Sequence, residues 1–543
     1  MTPDAFIQAE PRPRHGYRDD WLVRSFVRHR LHPDARGIER ELDELGALAA
    51  GPLWDFQRAD RHSEPTLTNF DAWGDRIDRI ELTPLWREAE RLAVQFGLTA
   101  RPHEGGGGPA ARQQQFLLVH LFHPVTDVYS CPLAMTDGAA RTLLESGNQA
   151  LAARAVPRLA SREPGRFWTS GQWMTEATGG SDVGLSLTRA ELRDGTWRLY
   201  GRKWFTSAAT SQMALTLARP EGNGAGGSGL ALFYVETRDA AGRLNGIRVE
   251  RLKDKLGTRK VPTAELVLDG AVAELVGTTT HGTRSIEPML RVTRTWNSVC
   301  AASFLRHGLG LAEDYAVKRV AFGASLAVQP LHRATLDDLD AESAGAFLMA
   351  FLLAELLGKH ESGIADPGEA ALLRLLTPVA KATTGKQAAA GASELIEAFG
   401  GAGYVEDTGI PVLLRDAQVM PIWEGTTNVL SLDLLLRADL DQGLAALRQR
   451  VVGAGSRVAD GGLAVAAEAS LAAIDGAAAW LGRTTEPALR QAGARRFALT
   501  LGRALQLALL VEHAVCVGGT PDAGQARQAC LRYWRLGVDL LQN

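Results

Sequence analysis

The hydrophobic periodicity of this chain changes twice, and that pattern limits the folds the chain can adopt. Up to about residue 161, apolar residues recur at helical spacing, as at Ile38, Leu42 and Leu45. From Phe167 short alternating runs separated by turn residues take over, and after about Gly282 helical spacing returns and continues to the end. The order is therefore helical, β, helical, and 543 residues are too many for a single core.

The middle of the chain carries the strongest strand signal. Thr188 to Tyr200 alternates on either side of Asp194-Gly195, which predicts a hairpin. We therefore predict an α+β multidomain protein with four parts: an N-terminal helical domain (1–166), a middle β domain (167–281), a helical bundle with a catalytic loop (282–439) and an extra C-terminal helical domain (440–543).

Composition favours an ordinary intracellular enzyme. The net charge of -3 gives no overall reason to expect binding to nucleic acid or to an anionic membrane. The four cysteines lack metal-type spacing and indicate a reduced cytoplasm. With no signal-length apolar segment and no run of eighteen apolar residues, neither secretion nor membrane spanning is expected. No dinucleotide-binding glycine motif, P-loop or metal-ligand cluster occurs either, so we expect no metal.

Two segments carry candidate chemistry. In 174–182, the small residues from Thr178 to Ser181 could expose successive N–H groups that cradle an anion, although a plain tight turn would have the same composition. In 423–428, Glu424 precedes Gly425, whose missing side chain allows a substrate to approach the backbone. A positioned carboxylate is a suitable general base, whereas the simpler interpretation is an exposed loop glutamate.

Five segments, in this order, resemble the acyl-CoA dehydrogenase family: 174–182, 203–207, 319–323, 399–404 and 423–428. The resemblance implies that family's fold, FAD as cofactor, and dehydrogenation of an acyl-CoA thioester between its α and β carbons; it does not identify the electron acceptor. Glu424 would be the base. The residues that would bind FAD are Met174, Thr175, Gly180, Ser181, Trp204, Thr206, Ser207, Arg319, Phe322, Gly400, Gly401, Thr426 and Asn428.

The resemblance also implies substrate contacts and an assembly. Ser181, Arg294 and Gly425 would face the substrate, although Arg294 could equally be a structural arginine. Arg319 would reach the FAD of a neighbouring subunit, which implies a homotetramer built as a dimer of dimers. Trp423 replaces the tyrosine usual before the base, and Glu397 replaces a glutamine near the cofactor, and both changes bear on normal turnover.

Residues 250–257, the segments above and the long helical tail are most similar to the AidB-like branch of the family, flavoproteins of the response to DNA alkylation. That branch implies an alternative function, protection of double-stranded DNA. Residues 440–543 contain eleven arginines, no lysine and eight acidic residues, a net charge of +3. Arg495, Arg496 and Arg503 could form a duplex-binding stripe, or simply a solvated charged face.

Overall fold

The computed structural model describes residues 8–105, 108–437, 439–456 and 458–541. In chain order its helices are α1 Trp21–His29, α2 Glu39–Ala50, α3 Pro52–Ala59, α4 Pro84–Gln95, α5 Gly108–Phe122, α6 Ser130–Glu145, α7 Gln149–Leu159, α8 Gly282–Ser285, α9 Glu287–Lys318, α10 Pro330–Glu361, α11 Pro367–Ala398, α12 Pro411–Ala417, α13 Thr427–Arg437, α14 Leu440–Gly455, α15 Gly461–Arg483, α16 Pro487–Cys516 and α17 Ala523–Arg535.

The strands are β1 Thr66–Phe70, β2 Arg76–Glu81, β3 Ser170–Trp173, β4 Arg189–Arg193, β5 Thr196–Thr206, β6 Met213–Pro220, β7 Ala231–Glu236, β8 Ile247–Leu252, β9 Ala264–Leu275, β10 Val320–Ala321 and β11 Ala324–Ser325. The chain forms two compact units: a β-containing unit of residues 59–106 and 126–296, and a helical unit of residues 1–58, 107–125 and 297–543.

A seven-stranded sheet forms the centre of the β-containing unit. Its pairings run β6-β4-β5-β9-β7 and return to β6, so five strands close a circuit, while β3 joins β6 and β8 joins β9. The predicted hairpin is present, since β4 and β5 pair antiparallel around Asp194 (φ +50°) and Gly195 (φ +75°). Apolar side chains from these strands form the core, among them Trp173, Leu199, Phe233, Leu266 and Leu268.

The helical unit contains the bundle. Helices α10 and α11 each span 32 residues, and a capping box formed by Asp366 and Glu369 starts α11. A buried polar cluster joins the C-terminal helices to these two: Gln387 on α11 and Gln506 on α16 exchange two amide hydrogen bonds of 2.8 and 2.9 Å, and the Tyr533 hydroxyl also donates to Gln506. The extra C-terminal helices are thus part of one packed body with the bundle.

By length and composition alone, α10, α15 and α16 could each cross a membrane. The apolar window of α10 is 83% buried within the structure and that of α16 is 72% buried, whereas that of α15 is 33% buried. In α10 and α16, therefore, most of the apolar surface is already covered by the protein itself.

The predicted fold class is confirmed, with helical, β and helical segments in that order. Two hairpins were missed: that of β1 and β2 lies inside the N-terminal segment that was predicted to be helical, and the short one of β10 and β11 lies inside the predicted helical bundle. Residues 1–166 are also divided between the two compact units, so the domain boundaries drawn from the sequence stay a prediction.

Candidate active site

Two of the sequence segments meet in the β-containing unit. Met174 and Thr175 directly follow β3 and are half-buried, and Trp204 and Thr206 end β5. The Trp204 N–H donates to the Thr175 carbonyl oxygen at 2.9 Å, which places the two segments side by side. Sequence reasoning assigned both to a flavin, and the fold brings them together.

The turn after Thr175 has free backbone donors. Gly179 has φ +114°, a conformation that favours glycine. The N–H groups of Gly180 and Ser181 donate to no acceptor within the described residues, and both residues are exposed. A Cβ atom added to Gly180 would lie 2.6 Å from the Thr175 hydroxyl oxygen. The turn therefore offers an open N–H cradle that a larger residue at 180 would disturb.

A buried ion pair fixes this turn to the sheet. Lys203 is fully buried, and its ammonium donates to the Glu176 carboxylate and to the Leu217 carbonyl oxygen, each at 2.8 Å. Glu176 also accepts from the Thr188 hydroxyl at 2.6 Å and the Leu187 N–H at 2.6 Å. Burial alone would raise the pKa of Glu176, but the attraction of Lys203 and these hydrogen bonds outweigh it, so its pKa is lowered.

Trp204 has a cation on its ring. The Lys253 ammonium lies 3.5 Å from the ring centroid and donates to Glu265 at 2.6 Å. The Thr206 hydroxyl donates to the Ala264 carbonyl oxygen at 2.6 Å. The Thr206 oxygen therefore retains lone pairs, which could accept a hydrogen bond from an N–H of a flavin ring.

Ser207 lies next to these residues and is half-buried. Its hydroxyl is 3.2 Å from that of Thr263, so it is tied to the strand that pairs with β5.

Glu424 lies in the helical unit, on the turn before α13. Its φ is +57° and that of Gly425 is +103°, so two successive residues have left-handed backbone conformations. Such a conformation costs a residue with a side chain roughly 1–2 kcal/mol and persists only where its surroundings impose it. Glu424 is half-buried, and the indole N–H of Trp423 is buried without a hydrogen-bond partner in the described structure.

The remaining loop residues predicted to bind FAD, Thr426 and Asn428, are exposed at the start of α13. The Thr426 hydroxyl accepts from the Val429 N–H at 3.4 Å, a weak N-terminal cap for this helix. Their side chains thus lie on the surface of the same loop as Glu424.

Arg319 directly follows α9 and is half-buried. Beside it, β10 and β11 form a hairpin whose turn residues Phe322 and Gly323 have φ of +52° and +82°. The Phe322 side chain is 100% exposed in the single chain. The Phe322 ring is thus held outward by a turn with a left-handed backbone conformation.

Four further positions that the sequence singled out lie at or near helix α11 and on α9. Gly400 (φ +59°) and Gly401 are exposed in the turn after α11, and an added Cβ atom at either would touch nothing. Glu397 is also exposed at the end of α11. Arg294 is half-buried on α9 and belongs to the β-containing unit.

The expected arginine stripe is wrong at one position. Arg495 and Arg496 are exposed on α16. Arg503, by contrast, donates to Glu342 at 2.8 Å and to the Gly537 carbonyl oxygen at 2.8 Å, and its side chain is only 14% exposed. Its charge is neutralised inside the protein, so two of the three arginines face solvent.

The residues present fit FAD. The β-containing unit supplies free N–H donors at Gly180 and Ser181 and the half-buried ring of Trp204, groups that suit an anion and a flavin. In the helical unit, taken by itself, Glu424 is half-buried and its chain neighbour Trp423 has a buried indole N–H without a partner among the described residues. Sequence reasoning missed the lysines that support these groups, Lys203, Lys253 and Lys381. A lone charge within an apolar strand or helix, as at Lys381, was the signal available.

Comparisons with known proteins agree with this arrangement. The chain matches the acyl-CoA dehydrogenase middle domain over residues 171–271, the acyl-CoA dehydrogenase C-terminal domain over 280–440 and the adaptive response protein AidB N-terminal domain over 10–164. It is 41% identical to acyl-CoA dehydrogenase family member 11 of Caenorhabditis elegans over 529 residues, which cover 94% of this chain and 86% of that protein.

It is also 34% identical to the putative acyl-CoA dehydrogenase AidB of Escherichia coli, covering 80% of this chain and 77% of that protein. The crystal structure of C. elegans ACDH-11 in complex with C11-CoA superposes with a TM-score of 0.92 at 39% identity, covering 98% of this chain and 93% of that one. With such identity over most of its length, the chain belongs to the acyl-CoA dehydrogenase family of FAD-dependent oxidoreductases, in its AidB-like branch.

Proposed function

We propose that this protein dehydrogenates an acyl-CoA thioester between its α and β carbons, with Glu424 as the base. The observation that carries the proposal is the conformation of the loop: Glu424 and Gly425 both have positive φ on the turn before α13, with the carboxylate half-buried. Strained backbone conformations cluster at functional sites, and this one holds the carboxylate that the family resemblance assigns as the base.

The residues of this chain divide the chemistry as follows. The Glu424 carboxylate takes the weakly acidic α proton. FAD, when bound, accepts the hydride from the β carbon. Thr175, Trp204 and Thr206 hold and cover the flavin ring, and the N–H cradle at Gly180 and Ser181 binds an anionic group of cofactor or substrate.

The remaining residues predicted to bind FAD are assigned as follows. Gly400 and Gly401 would form the turn against which the adenosine half of FAD packs. The other cofactor-binding positions are Met174, Ser207, Thr426 and Asn428. Ser181, Arg294 and Gly425 contact the substrate.

Acyl-CoA is the substrate class that the relatives support. The similar protein ACDH-11 was crystallised with C11-CoA. A thioester carbonyl makes the α proton acidic enough for a carboxylate such as that of Glu424 to remove. We therefore expect the protein to act on acyl-CoAs, and the preferred chain length is to be found by a series from butyryl- to palmitoyl-CoA.

The working form is inferred to be a cytoplasmic homotetramer, a dimer of dimers. Beside Arg319, the side chains of Val320, Phe322, Val328 and Leu331 are 61%, 100%, 67% and 82% exposed in the single chain. If a second copy covered this apolar surface, Arg319 of the first copy would reach the FAD of the second. There its guanidinium fork suits the pyrophosphate.

DNA protection is the alternative function. It has weaker support, because only Arg495 and Arg496 of the three expected arginines are exposed.

Anaerobic mixing of the FAD-loaded protein with acyl-CoAs tests the main proposal. We expect loss of the visible flavin absorbance with the preferred acyl-CoA. Glu424→Gln should slow this reduction by about 10²- to 10⁴-fold, the usual contribution of a positioned general base, while FAD stays bound. Glu468→Gln, an exposed glutamate on α15, is the matched control and should behave as wild type. Equal rates for Glu424→Gln and the control would reject Glu424 as base.

A further inference from the structure

Lys381 is a buried cation that none of the roles above explains. It lies in the middle of α11, its side chain is fully buried, and the neighbouring buried residues from Leu372 to Thr384 carry no other charge. Lysine is almost never fully buried without a specific partner, because removing an ammonium from water is costly. One partner lies in the loop of Glu424: the Lys381 ammonium donates a hydrogen bond of 2.6 Å to the Gly425 carbonyl oxygen.

The same helix also holds the start of that loop. A Cβ atom added to Gly385, one helical turn after Lys381, would lie 2.9 Å from the Met420 carbonyl oxygen. The α11 backbone therefore contacts Met420 where only glycine fits. The Asn297 side chain also donates to the Met420 carbonyl oxygen, at 3.4 Å. Residues 420 and 425 are thus both fixed to buried groups, with the strained Glu424 between them.

We propose that Lys381 is a positioning residue, which fixes the left-handed turn at Glu424 and Gly425. This inference rests on the proposed function, because it concerns the same carboxylate. The hydrogen bond to the Gly425 carbonyl oxygen locks the peptide between Gly425 and Thr426, one residue beyond Glu424, and so limits how the turn that carries the carboxylate can move.

The test compares Lys381→Met with Lys386→Met, a half-buried lysine of the same helix, in the FAD-loaded full-length protein. For Lys381→Met we expect unchanged FAD content, an unchanged KM for acyl-CoA and a 10- to 100-fold slower reduction, on the order of the effect of a 1 Å misplacement.

A second measurement does not depend on turnover. In the FAD-free protein, hydrogen–deuterium exchange of the peptide that covers residues 418–427 should become at least tenfold faster in Lys381→Met, with no change across α10. Should Lys381→Met fail to fold, Lys381→Leu, which also lacks the donor, is used in its place. Faster exchange of residues 418–427 in Lys381→Leu supports the proposal, and exchange equal to that of Lys386→Met overturns it.

The outcomes separate the two proposals. If Glu424→Gln abolishes reduction while Lys381→Met matches Lys386→Met in rate and in exchange, the positioning role is wrong and the proposed function stands. If Glu424→Gln itself reduces flavin at the normal rate, the proposed function fails; faster exchange in Lys381→Met would then still support the hold on the loop but not its catalytic purpose.

Discussion

Removing the cation of the Glu176–Lys203 pair is the most informative perturbation of the cofactor side. Lys203→Met keeps the length of the side chain in a fully buried site and leaves the Glu176 carboxylate with donors from Leu187 and Thr188 only. Because Glu176 is itself only 3% exposed at its side chain, the unpaired charge cannot be rehydrated without local opening. We therefore expect the turn that carries Gly180 and Ser181 to loosen from the sheet.

The expected size follows from the burial of both partners. Breaking a buried ion pair by removing one member costs about 3–5 kcal/mol, because a charge remains without compensation. If one-third to one-half of that cost returns as reordering of the turn when FAD binds, the Kd for FAD rises about 5- to 60-fold, since each 1.4 kcal/mol is tenfold. Replacing both residues, by Lys203→Met with Glu176→Gln, removes the uncompensated charge and should recover part of the loss.

The assay is a fluorescence titration of the FAD-free protein with FAD, alongside thermal unfolding. Arg202→Met, the exposed neighbour on β5, is the matched control. Lys203→Met should bind FAD more weakly and unfold at a lower temperature than the control, and the double variant should lie between the two. If Lys203→Met and Arg202→Met bind FAD equally well and unfold at the same temperature, the pair does not organise the turn.

The same pair predicts a pH dependence of defined sign. The pKa of Glu176 is lowered in the folded protein, so its contribution to stability is fully present above the ordinary value near 4.5 and is lost as the pH falls through the folded-state pKa. The difference in unfolding free energy between wild type and Glu176→Gln should therefore be constant near neutral pH and shrink in acid. A difference that grew as the pH fell would contradict this account.

Two further contrasts test the surface. Arg503→Ala should lower the unfolding temperature, because it leaves Glu342 without its bidentate partner, whereas the double variant Arg495→Ala with Arg496→Ala should not. Only the double variant should reduce the slope of log affinity against log salt concentration for any duplex binding. The reduction should be about 0.9 for each phosphate that is no longer neutralised. Phe322→Ser should shift the assembly toward smaller species in light scattering, and Arg319→Ala should weaken FAD binding without changing the fold of the FAD-free subunit.

The sequence was most informative where local chemistry decides the structure. The Asp194-Gly195 hairpin was predictable because both turn residues tolerate positive φ and the flanking runs alternate. The hairpin of β1 and β2 was missed because its strands, TLTNF and RIDRIE, are polar and largely exposed, so no apolar alternation marks them. Arg503 was misplaced for a related reason: helical spacing gives the face of a helix, but not which other helix covers it.

The groups that support the site were hidden from the sequence by distance along the chain. Lys203 donates to Glu176, which is separated from it by 27 positions in the sequence. Lys381 donates to the carbonyl oxygen of Gly425, 44 positions further along the chain. A backbone carbonyl has no signature in a sequence, and an ion pair across a sheet depends on register. What the sequence does show is Lys381 alone among apolar or small neighbours, and Lys203 at an inward-facing position of a strand, where a free ammonium would be too costly to bury. Such a lysine predicts a partner of fixed position, and in both cases that partner borders a residue of the candidate site.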